Sequence, residues 1–373
     1  GKPLGRLPIA SKKTLEGANI ANIDELVLKM KKSRVKWGFI WIILASVIWG
    51  YSYVPQEAIW YIEPISSLWD AGGKSLIEGS MVVACMQSGM FTLVLFLLWS
   101  CVNNKPREAF RNLTHWPISK WFLVSAFCGG LMAMFGSTLA TAFVGADYAA
   151  AIALLSAAVG ALWGRVMFKE KLTKKTIIGL IVLIVGGFFV LDPIAMVDAI
   201  TNPEGKDGII FGYLGGILSA IGWGVESCYN VRGLDVADTE ATTPSRYCWE
   251  FILWMVIIFP LTAVIVGFND FYDIVIDCFS TPELFCVLVF TALSLGLADS
   301  LLHKGFPLLG VGRGLAINSG IYVPASLLAL WVFLKDYEIS YWLIIGTIIA
   351  IVGVFVMYWE KEEIQDGLRE AEE

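Results

Sequence analysis

Charged residues are scarce in this sequence. They make up 16% of its 373 residues, whereas 57% are hydrophobic and the mean hydropathy is +0.69. Soluble domains contain about 25% charged and about 45–50% apolar residues. This composition excludes a soluble enzyme, a coiled coil and a disordered chain. The net charge of −6 lacks the basic surplus that a nucleic-acid partner requires, so we expect none.

Histidine and paired cysteines are also scarce. The chain has two histidines, His115 and His303, and none of its seven cysteines forms a CxxC pair. No GxSxG, HExxH or P-loop pattern occurs, and we expect neither histidine to have an acidic partner four residues away within a membrane span. The sequence therefore predicts no enzyme, no metal site and no cofactor. Most cysteines are expected to act as small packing residues, with a Cys278–Cys286 disulfide as the minor alternative.

Long apolar runs dominate the sequence. A helix needs about 20 apolar residues to cross a bilayer. Ten stretches qualify: 37–59, 81–102, 120–143, 145–168, 174–191, 209–230, 248–268, 283–303, 310–334 and 340–359. We therefore predict an all-α, multi-pass integral membrane protein with ten membrane-spanning helices. Because no organellar signal is visible, the expected location is a bacterial cytoplasmic membrane.

The segments outside these stretches carry a charge pattern. With the N-terminus inside, the inner segments 29–36, 105–120 and 165–175 hold 14 basic residues, and the outer loops hold three. Lys and Arg concentrate on the cytoplasmic side of membrane proteins. Both termini are thus predicted to be cytoplasmic, the first in a polar tail over 1–36 and the second in an acidic tail over 360–373. Residues 20–30 are predicted to form a short juxtamembrane helix.

The two halves of the chain resemble each other, and we assign the repeats to 37–192 and 209–359. Each half has five stretches, an odd number, so the second half is expected to cross the membrane upside down relative to the first. Inverted repeats are common in secondary transporters, which bind their substrate near the midplane between the halves. The matching residues are Trp49-Gly50 with Trp223-Gly224, Gly145 with Gly310, Phe168 with Phe333, Gly179 with Gly346, and Gly186 with Gly353.

This ordered set resembles the ten-helix drug/metabolite transporter superfamily, in its EamA-like branch. Trp49-Gly50, Ala149 to Met167, the run that begins Phe168-Lys-Glu-Lys-Leu-Thr, and Tyr322 to Phe333 carry the resemblance, which covers roughly 37–359. It implies two inverted five-helix repeats around a central cavity, and transport of small metabolites. The cavity would be lined mainly by the first, third, fourth, sixth, eighth and ninth spans. The long tail over 1–36 and the large outer loop over 60–80, which we expect to be a surface loop, depart from the family's pattern.

Acids inside the apolar stretches are the most informative residues, because an ionisable group in hydrocarbon costs at least about 2.5–3.5 kcal/mol. Glu226 and Asp299 each lie four residues from the predicted inner end of their stretch. We expect them either to face a cavity or to pair with Arg313 or Lys304. Glu57 and Asp147 lie near the outer ends of their stretches, and the alternative for them and for Lys304 is solvation at the membrane interface. The candidates for coupling or gating are Glu57, Asp147 and Arg313.

Aromatic residues accompany these acids. Trp49 and Tyr53 share a face of the first stretch, and Trp223 precedes Glu226 by three residues. Aromatic faces attract desolvated cations, and a buried carboxylate could hold the charge of a substrate or a coupling proton. The predicted substrate-binding residues are Trp49, Tyr53, Trp163, Trp223, Glu226, Asp299, Asn318 and Tyr322.

The sequence therefore predicts a secondary active transporter that works by alternating access on a small organic cation or zwitterion, such as an amine, a choline-like compound or a betaine. Export of amino acids or hydrophobic drugs stays open, with Arg313 holding the carboxylate. A non-transporting membrane scaffold or receptor stays open as a second class. The expected partners are the small-molecule substrate, the lipid bilayer and a coupling proton or sodium ion, and a homodimer is an open option.

Overall fold

Helices build the part of the chain that the structure describes, and no strand occurs within it. The structure, a computed structural model, describes residues 20–90, 98, 100–169, 171–190, 192–201, 208–234, 239–334 and 338–358. In chain order the helices are α1 Ile20–Ala58, α2 Ile65–Ala71, α3 Gly73–Ala84, α4 Pro106–Thr114, α5 Trp116–Val144, α6 Ala146–Phe168, α7 Lys174–Val190, α8 Pro193–Thr201, α9 Ile209–Leu234, α10 Thr239–Ile252, α11 Phe268–Ser280, α12 Pro282–Leu309, α13 Val311–Phe333 and α14 Tyr341–Tyr358. Wide π turns extend α3 over Cys85–Met90 and α10 over Leu253–Ile258, and a third, Ala126–Ala133, lies inside α5.

Seven helices among the described residues are long and apolar enough to cross a membrane: α1, α5, α6, α9, α10 with its continuation to Val266, α12 and α13. Their outer faces expose large apolar side chains, for example Val264 at 80% and Phe290 at 60%. Apolar exposure of this extent suits lipid rather than water. The prediction of an all-α, multi-pass integral membrane protein is confirmed at this level.

The helix bounds differ from the predictions at three places. Residues 20–30 are helical and are continuous with the first long helix, since α1 begins at Ile20. α9 and α12 run to Leu234 and Leu309, past the predicted ends at 230 and 303. The predicted ends fall at Asn230 and His303, where the windows of about 20 apolar residues end. In the fold both side chains find hydrogen-bond partners on neighbouring helices, so the helices continue beyond them.

The segment 60–80 is folded rather than a surface loop, which corrects a further expectation. Trp60 is buried and lies in one hydrophobic cluster with Phe271 of α11. The indole N–H of Trp69 donates to the carbonyl of Ala142 at 3.1 Å, which ties α2 to the end of α5. Burial of Trp60, Ile65 and Leu76 explains why so long a connection adopts a defined structure. The minor alternative of a Cys278–Cys286 disulfide does not hold in the structure, since both cysteines are free.

α7 and α14 pack against each other through glycines. A Cβ on Gly186 would lie 2.7 Å from the carbonyl oxygen of Gly346, and one on Gly353 would lie 2.7 Å from that of Gly179. In lipid, small residues of this kind let two helix backbones approach closely. The earlier glycine of one helix meets the later glycine of the other, so the helices are antiparallel. This reciprocal pattern is the one that a two-fold contact produces.

α1 and α9 occupy matching places in the two halves. Gly50 of α1 approaches α13, where its Cβ would lie 2.8 Å from the Cβ of Ala325. Gly224 of α9 approaches α6, where its Cβ would lie 2.6 Å from the Cβ of Val159. α1 also packs on α12, and α9 on α5. Each of these two helices thus lies in a helical hairpin that the other half of the chain supplies.

The turns of these two hairpins have nearly the same backbone. Gly145 joins α5 to α6 with φ 98° and ψ 159°, and Gly310 joins α12 to α13 with φ 85° and ψ 157°. Positive φ is costly for residues with a side chain, so glycine suits both positions.

The contacts with α6 also give the directions of α1 and α9. Glu57 of α1 accepts a hydrogen bond from Ala146 at the start of α6, whereas Trp49 lines the same cavity as Ser156 farther along α6, so α1 and α6 are antiparallel.

α9 runs the other way. Gly216 approaches Ile152 and Gly224 approaches Val159, so the contact points advance together and α9 is parallel to α6. α1 and α9 therefore run in opposite directions.

Candidate functional site

A chamber between α1, α9, α10 and α12 contains four charged side chains: Glu226, Arg246, Glu250 and Asp299. Glu226, Arg246 and Glu250 are buried, and Asp299 is 14% exposed. The chamber has about 420 Å³ of unfilled space, part of it open to solvent. We call it the acidic chamber. The longer helices place Glu226 and Asp299 deeper than predicted, eight and ten residues from the helix ends, which corresponds to roughly 12 and 15 Å of rise.

Arg246 is the centre of this cluster. Its Nε donates to Oε1 of Glu226 at 2.9 Å, its Nη2 binds the same carboxylate, and its Nη1 binds Oε2 of Glu250. The Nε atom lies 3.8 Å from Oδ2 of Asp299. Charge-assisted bonds such as these offset part of the hydration that buried ions lose. Three carboxylates surround one guanidinium, so the cluster carries two excess negative charges when all three acids are ionised.

Two glycines of α5 make room for the carboxylates. A Cβ on Gly129 would lie 1.9 Å from the carboxyl carbon of Glu226, and one on Gly130 would lie 2.6 Å from that of Glu250. Both glycines belong to the π turn Ala126–Ala133. Such wide turns occur frequently at functional sites. Any side chain at position 129 would occupy the place of the Glu226 carboxylate.

A chain of polar contacts continues from Asp299. Oδ1 of Asp299 lies 3.7 Å from Nε2 of His303, and the amide nitrogen of Asn230 lies 2.8 Å from the same ring atom. The other ring nitrogen, Nδ1, lies 3.2 Å from the hydroxyl of Thr243. The expectation that neither histidine has an acidic partner four residues away is therefore wrong. Both residues lie within the predicted stretch 283–303, and residues four apart share a helix face, so the sequence already contained the signal for this pair.

A second chamber lies on the other side of Trp49 and Trp223, and we call it the aromatic chamber. The two indole rings meet edge to face, with centroids 5.3 Å apart and planes at 84°. Glu226 and Asp299 line both chambers, so the charged and the aromatic surfaces are continuous. The apolar lining of the aromatic chamber includes Leu302, Phe306, Leu315 and Tyr322.

Most of the predicted binding residues meet at these chambers. Six of them line one chamber or both: Trp49, Trp223, Glu226, Asp299, Asn318 and Tyr322. Tyr53 lies behind Tyr322, with the rings stacked at a centroid distance of 6.3 Å. Trp163 is 38% exposed on α6 and is not part of either lining, so the structure separates it from the site.

Glu57 and Asp147 are buried, which overturns the alternative of interfacial solvation for them. Oε2 of Glu57 accepts from the backbone N–H of Ala146 at 2.8 Å, and Oε1 accepts from the hydroxyl of Tyr61 at 2.9 Å. The N-terminus of α6 supplies the donors and the favourable dipole that water would otherwise supply. Glu57 thus links α1 to α6, and neither acid lines a chamber.

Arg246 forms the ion pairs with Glu226 and Asp299 that were expected from Arg313 or Lys304. The ammonium of Lys304 lies 5.2 Å from the ring centroid of Trp41, and the side chain of Arg313 is outside the described part of the chain. Arg246 was missed because the seventh stretch was started at 248. Its spacing of four from Glu250 was the available signal, since residues four apart lie on one helix face.

Comparisons with known proteins bear on the fold alone. No protein-family profile and no curated protein matches the chain. A solved structure described as "Crystal structure of protein" matches with a TM-score of 0.55 and 14% identity, over 86% of this chain and 98% of its own. Its likeness to this chain therefore extends over almost the whole of that structure.

Proposed function

We propose that this chain is a secondary active transporter of small organic cations or zwitterions, a member of the drug/metabolite transporter superfamily in a bacterial cytoplasmic membrane. The observation that carries the proposal is the excess of buried carboxylates in the acidic chamber, directly beside two tryptophans. An uncompensated acid at membrane depth costs about 2.5–3.5 kcal/mol. A cation or a proton that enters the chamber removes that cost, so the site is selective for positive charge.

The aromatic walls favour an organic cation over a hydrated metal ion. An alkylammonium group against a tryptophan face gains up to about 2 kcal/mol once it is desolvated. Trp49 and Trp223 lie at the junction of both chambers, so an ammonium group beside them also reaches Asp299.

Asp299 is the acid best suited to the substrate, although the sequence directed attention equally to Glu226. Glu226 is held by two nitrogens of Arg246 and is 5% exposed. Asp299 is 3.8 Å from the guanidinium, is 14% exposed and lines both chambers. We assign Glu226 to holding Arg246 in position and Asp299 to binding the ammonium group.

The packing supports alternating access by two inverted five-helix repeats. α1 and α9 run in opposite directions in equivalent hairpins, and α7 meets α14 through reciprocal glycines. In this proposal α3 with its continuation, α7 and α14 complete ten crossings, and both termini are cytoplasmic. Two connecting helices support that orientation: α4 carries Arg107 and Arg111, whereas α11 carries Asp270, Asp273 and Asp277.

The presence of Arg246 favours a zwitterion as the second candidate. A substrate with a carboxylate could share the guanidinium with Glu250 while its ammonium pairs with Asp299. Choline and betaine differ by this carboxylate and have the same quaternary ammonium. A preference for betaine that Arg246→Lys removes would identify the zwitterion; equal transport of both would identify the simple cation.

The test is radiolabelled counterflow in proteoliposomes with choline, betaine, ethylamine and leucine. We expect exchange of at least one ammonium compound, and its loss in Asp299→Asn. Asp277→Asn on α11, outside the candidate spans, is the matched control and should exchange normally. Wild-type exchange by Asp299→Asn would refute the assignment, and a wild-type protein that exchanges none of the four would refute the proposed function.

A further inference from the structure

We propose that His303 takes up the coupling proton, and that the protonated ring and the substrate cation compete for Asp299. This inference rests on the proposed function and adds a residue and a stoichiometry to it. It makes the transporter an exchanger of one proton for one substrate cation.

The hydrogen bonds around His303 define an uncharged ring. The hydroxyl of Ser125 donates to Oδ1 of Asn230, so the amide NH₂ group of Asn230 faces His303. Nε2 of His303, 2.8 Å away, is then the acceptor, and Nδ1 carries the hydrogen toward the hydroxyl of Thr243. A neutral imidazole has one donor and one acceptor nitrogen, which is the pattern that these partners match.

Protonation changes which partner Nε2 can hold. An imidazolium has N–H on both nitrogens, so its Nε2–H would face the N–H groups of Asn230, a contact between two donors. The carboxylate of Asp299, 3.7 Å from Nε2, is the acceptor within reach. A small rotation of the ring therefore exchanges the Asn230 bond for an ion pair with Asp299. The proton comes from water and adds to the Nε2 lone pair, and no other covalent bond forms or breaks.

The charged groups around His303 make this proton depend on the substrate. Asp299 faces the ring from its own helix, and Arg246 of α10 and Glu226 of α9 lie in the cluster beyond it. α1 contributes Gly38 and Ile42 near the next turn of α12. A substrate ammonium on Asp299 removes the acid that would stabilise an imidazolium and adds a positive charge beside it. Binding of the cation thus expels the proton, and departure of the cation lets the proton return.

Two transport assays separate the coupling role from transport itself. Proteoliposomes that contain His303→Gln should still catalyse counterflow of labelled choline at equal pH on both sides. They should lose the accumulation of choline that an imposed pH gradient drives in the wild type. His115→Gln changes the only other histidine in the sequence, which is exposed between α4 and α5, and it should keep both activities.

The outcomes are distinct. Accumulation driven by the pH gradient in His303→Gln would overturn the role of His303 and leave the proposed function standing. A wild-type protein that exchanges none of the four compounds would overturn both; if it exchanges another of the four in place of choline, the same two assays are made with that compound. A wild-type protein that exchanges choline but never responds to a pH gradient would overturn the coupling proposal alone.

A measurement on the unchanged protein covers the case in which the variant does not fold. Choline is added to purified wild-type protein in weakly buffered detergent that contains a pH-sensitive dye. The charge of choline does not titrate, so any proton that appears comes from the protein. The ring must hold a proton before choline can displace it, so the measurement is made at several pH values between 8 and 5. We expect the release to approach one proton per bound choline at the acidic end; binding without proton release at every pH would overturn the proposal.

Discussion

Replacement of Arg246 by Gln tests the charge balance of the acidic chamber. The guanidinium binds Glu226 and Glu250 directly and lies 3.8 Å from Asp299, so its loss leaves three buried carboxylates without a cation. Removal of one partner from a buried ion pair typically costs about 3–5 kcal/mol. We expect Arg246→Gln to lose stability in that range. The double variant Arg246→Gln/Glu250→Gln restores the wild-type net charge and should recover more than half of the loss.

The assay is SDS-induced unfolding in mixed micelles, followed by tryptophan fluorescence at pH 8 and pH 5. Without Arg246, the buried carboxylates of the folded protein bind protons more readily than the same carboxylates do in the unfolded chain. Stability then rises as the pH falls, so the deficit should be smaller at pH 5 than at pH 8. A loss below about 1 kcal/mol, or a deficit that is the same at both pH values, would refute the view that Arg246 compensates buried charge.

Two further predictions concern packing and reactivity away from the chambers. Gly353→Val should lower the free energy of unfolding by about 1–3 kcal/mol in the same assay, because its Cβ would lie 2.7 Å from the carbonyl oxygen of Gly179. Ile348→Val on the exposed face is the control and should lower it by less than about 1 kcal/mol. Burial raises the pKa of the Cys278 thiol to about 12. At pH 8 a maleimide should therefore label the exposed Cys101 and not Cys278. Rapid labelling of Cys278 in the folded protein would contradict its burial.

The membrane-spanning character could be predicted from the sequence, because it depends on composition and on the length of apolar runs. Seven of the ten stretches correspond to long helices. Helix ends were less predictable. Two predicted spans end at Asn230 and His303, yet the helices continue past them, and each of these side chains has a hydrogen-bond partner distant in the chain. Local pattern carries no information about such partners.

The same limit applied to the site. The presence of acids at Glu226 and Asp299 could be read from the apolar stretches around them, and so could the tryptophans beside them. Their common cation, Arg246, could not be identified, because the pairing depends on how α9, α10 and α12 are rotated about their axes. The burial of Glu57 was missed for a related reason. Its partner is the backbone N–H of Ala146, a group that every residue except proline has and that sequence does not distinguish.

The charges of the acidic chamber are not shared between the two halves of the chain. Glu226, Arg246, Glu250 and Asp299 all belong to the second half, and the first half contributes uncharged residues: Trp49, Gln87, Ser88, Met134 and the glycine pair of α5. In an inverted repeat that rocks one half against the other, the charge cluster would move as a unit past an uncharged wall. Gly129 and Gly130 are the part of this uncharged surface that packs against the carboxylates of Glu226 and Glu250.

Gly129→Ala is therefore the sharpest probe of the first half. The added methyl group would lie 1.9 Å from the carboxyl carbon of Glu226, too close for both to keep their positions. Displacement of Glu226 breaks its hydrogen bonds to Arg246. The guanidinium of Arg246 lies 3.8 Å from Asp299, so a shift of the guanidinium also disturbs the carboxylate that we propose binds the substrate. We expect loss of choline counterflow from a substitution that changes no charge. Cys128→Ala, one residue away, is the matched control and should retain exchange.

The compensating variant distinguishes a steric effect on Glu226 from a general disturbance of α5. Shortening Glu226 to Asp draws the carboxylate back by one methylene, so Gly129→Ala/Glu226→Asp should exchange choline better than Gly129→Ala alone. Coupling of this kind appears in a double-mutant cycle as a departure from additivity, which is about 0.5–3 kcal/mol for residues in contact. Additive effects of the two substitutions would show that the glycine serves helix packing and has no part in positioning the acid.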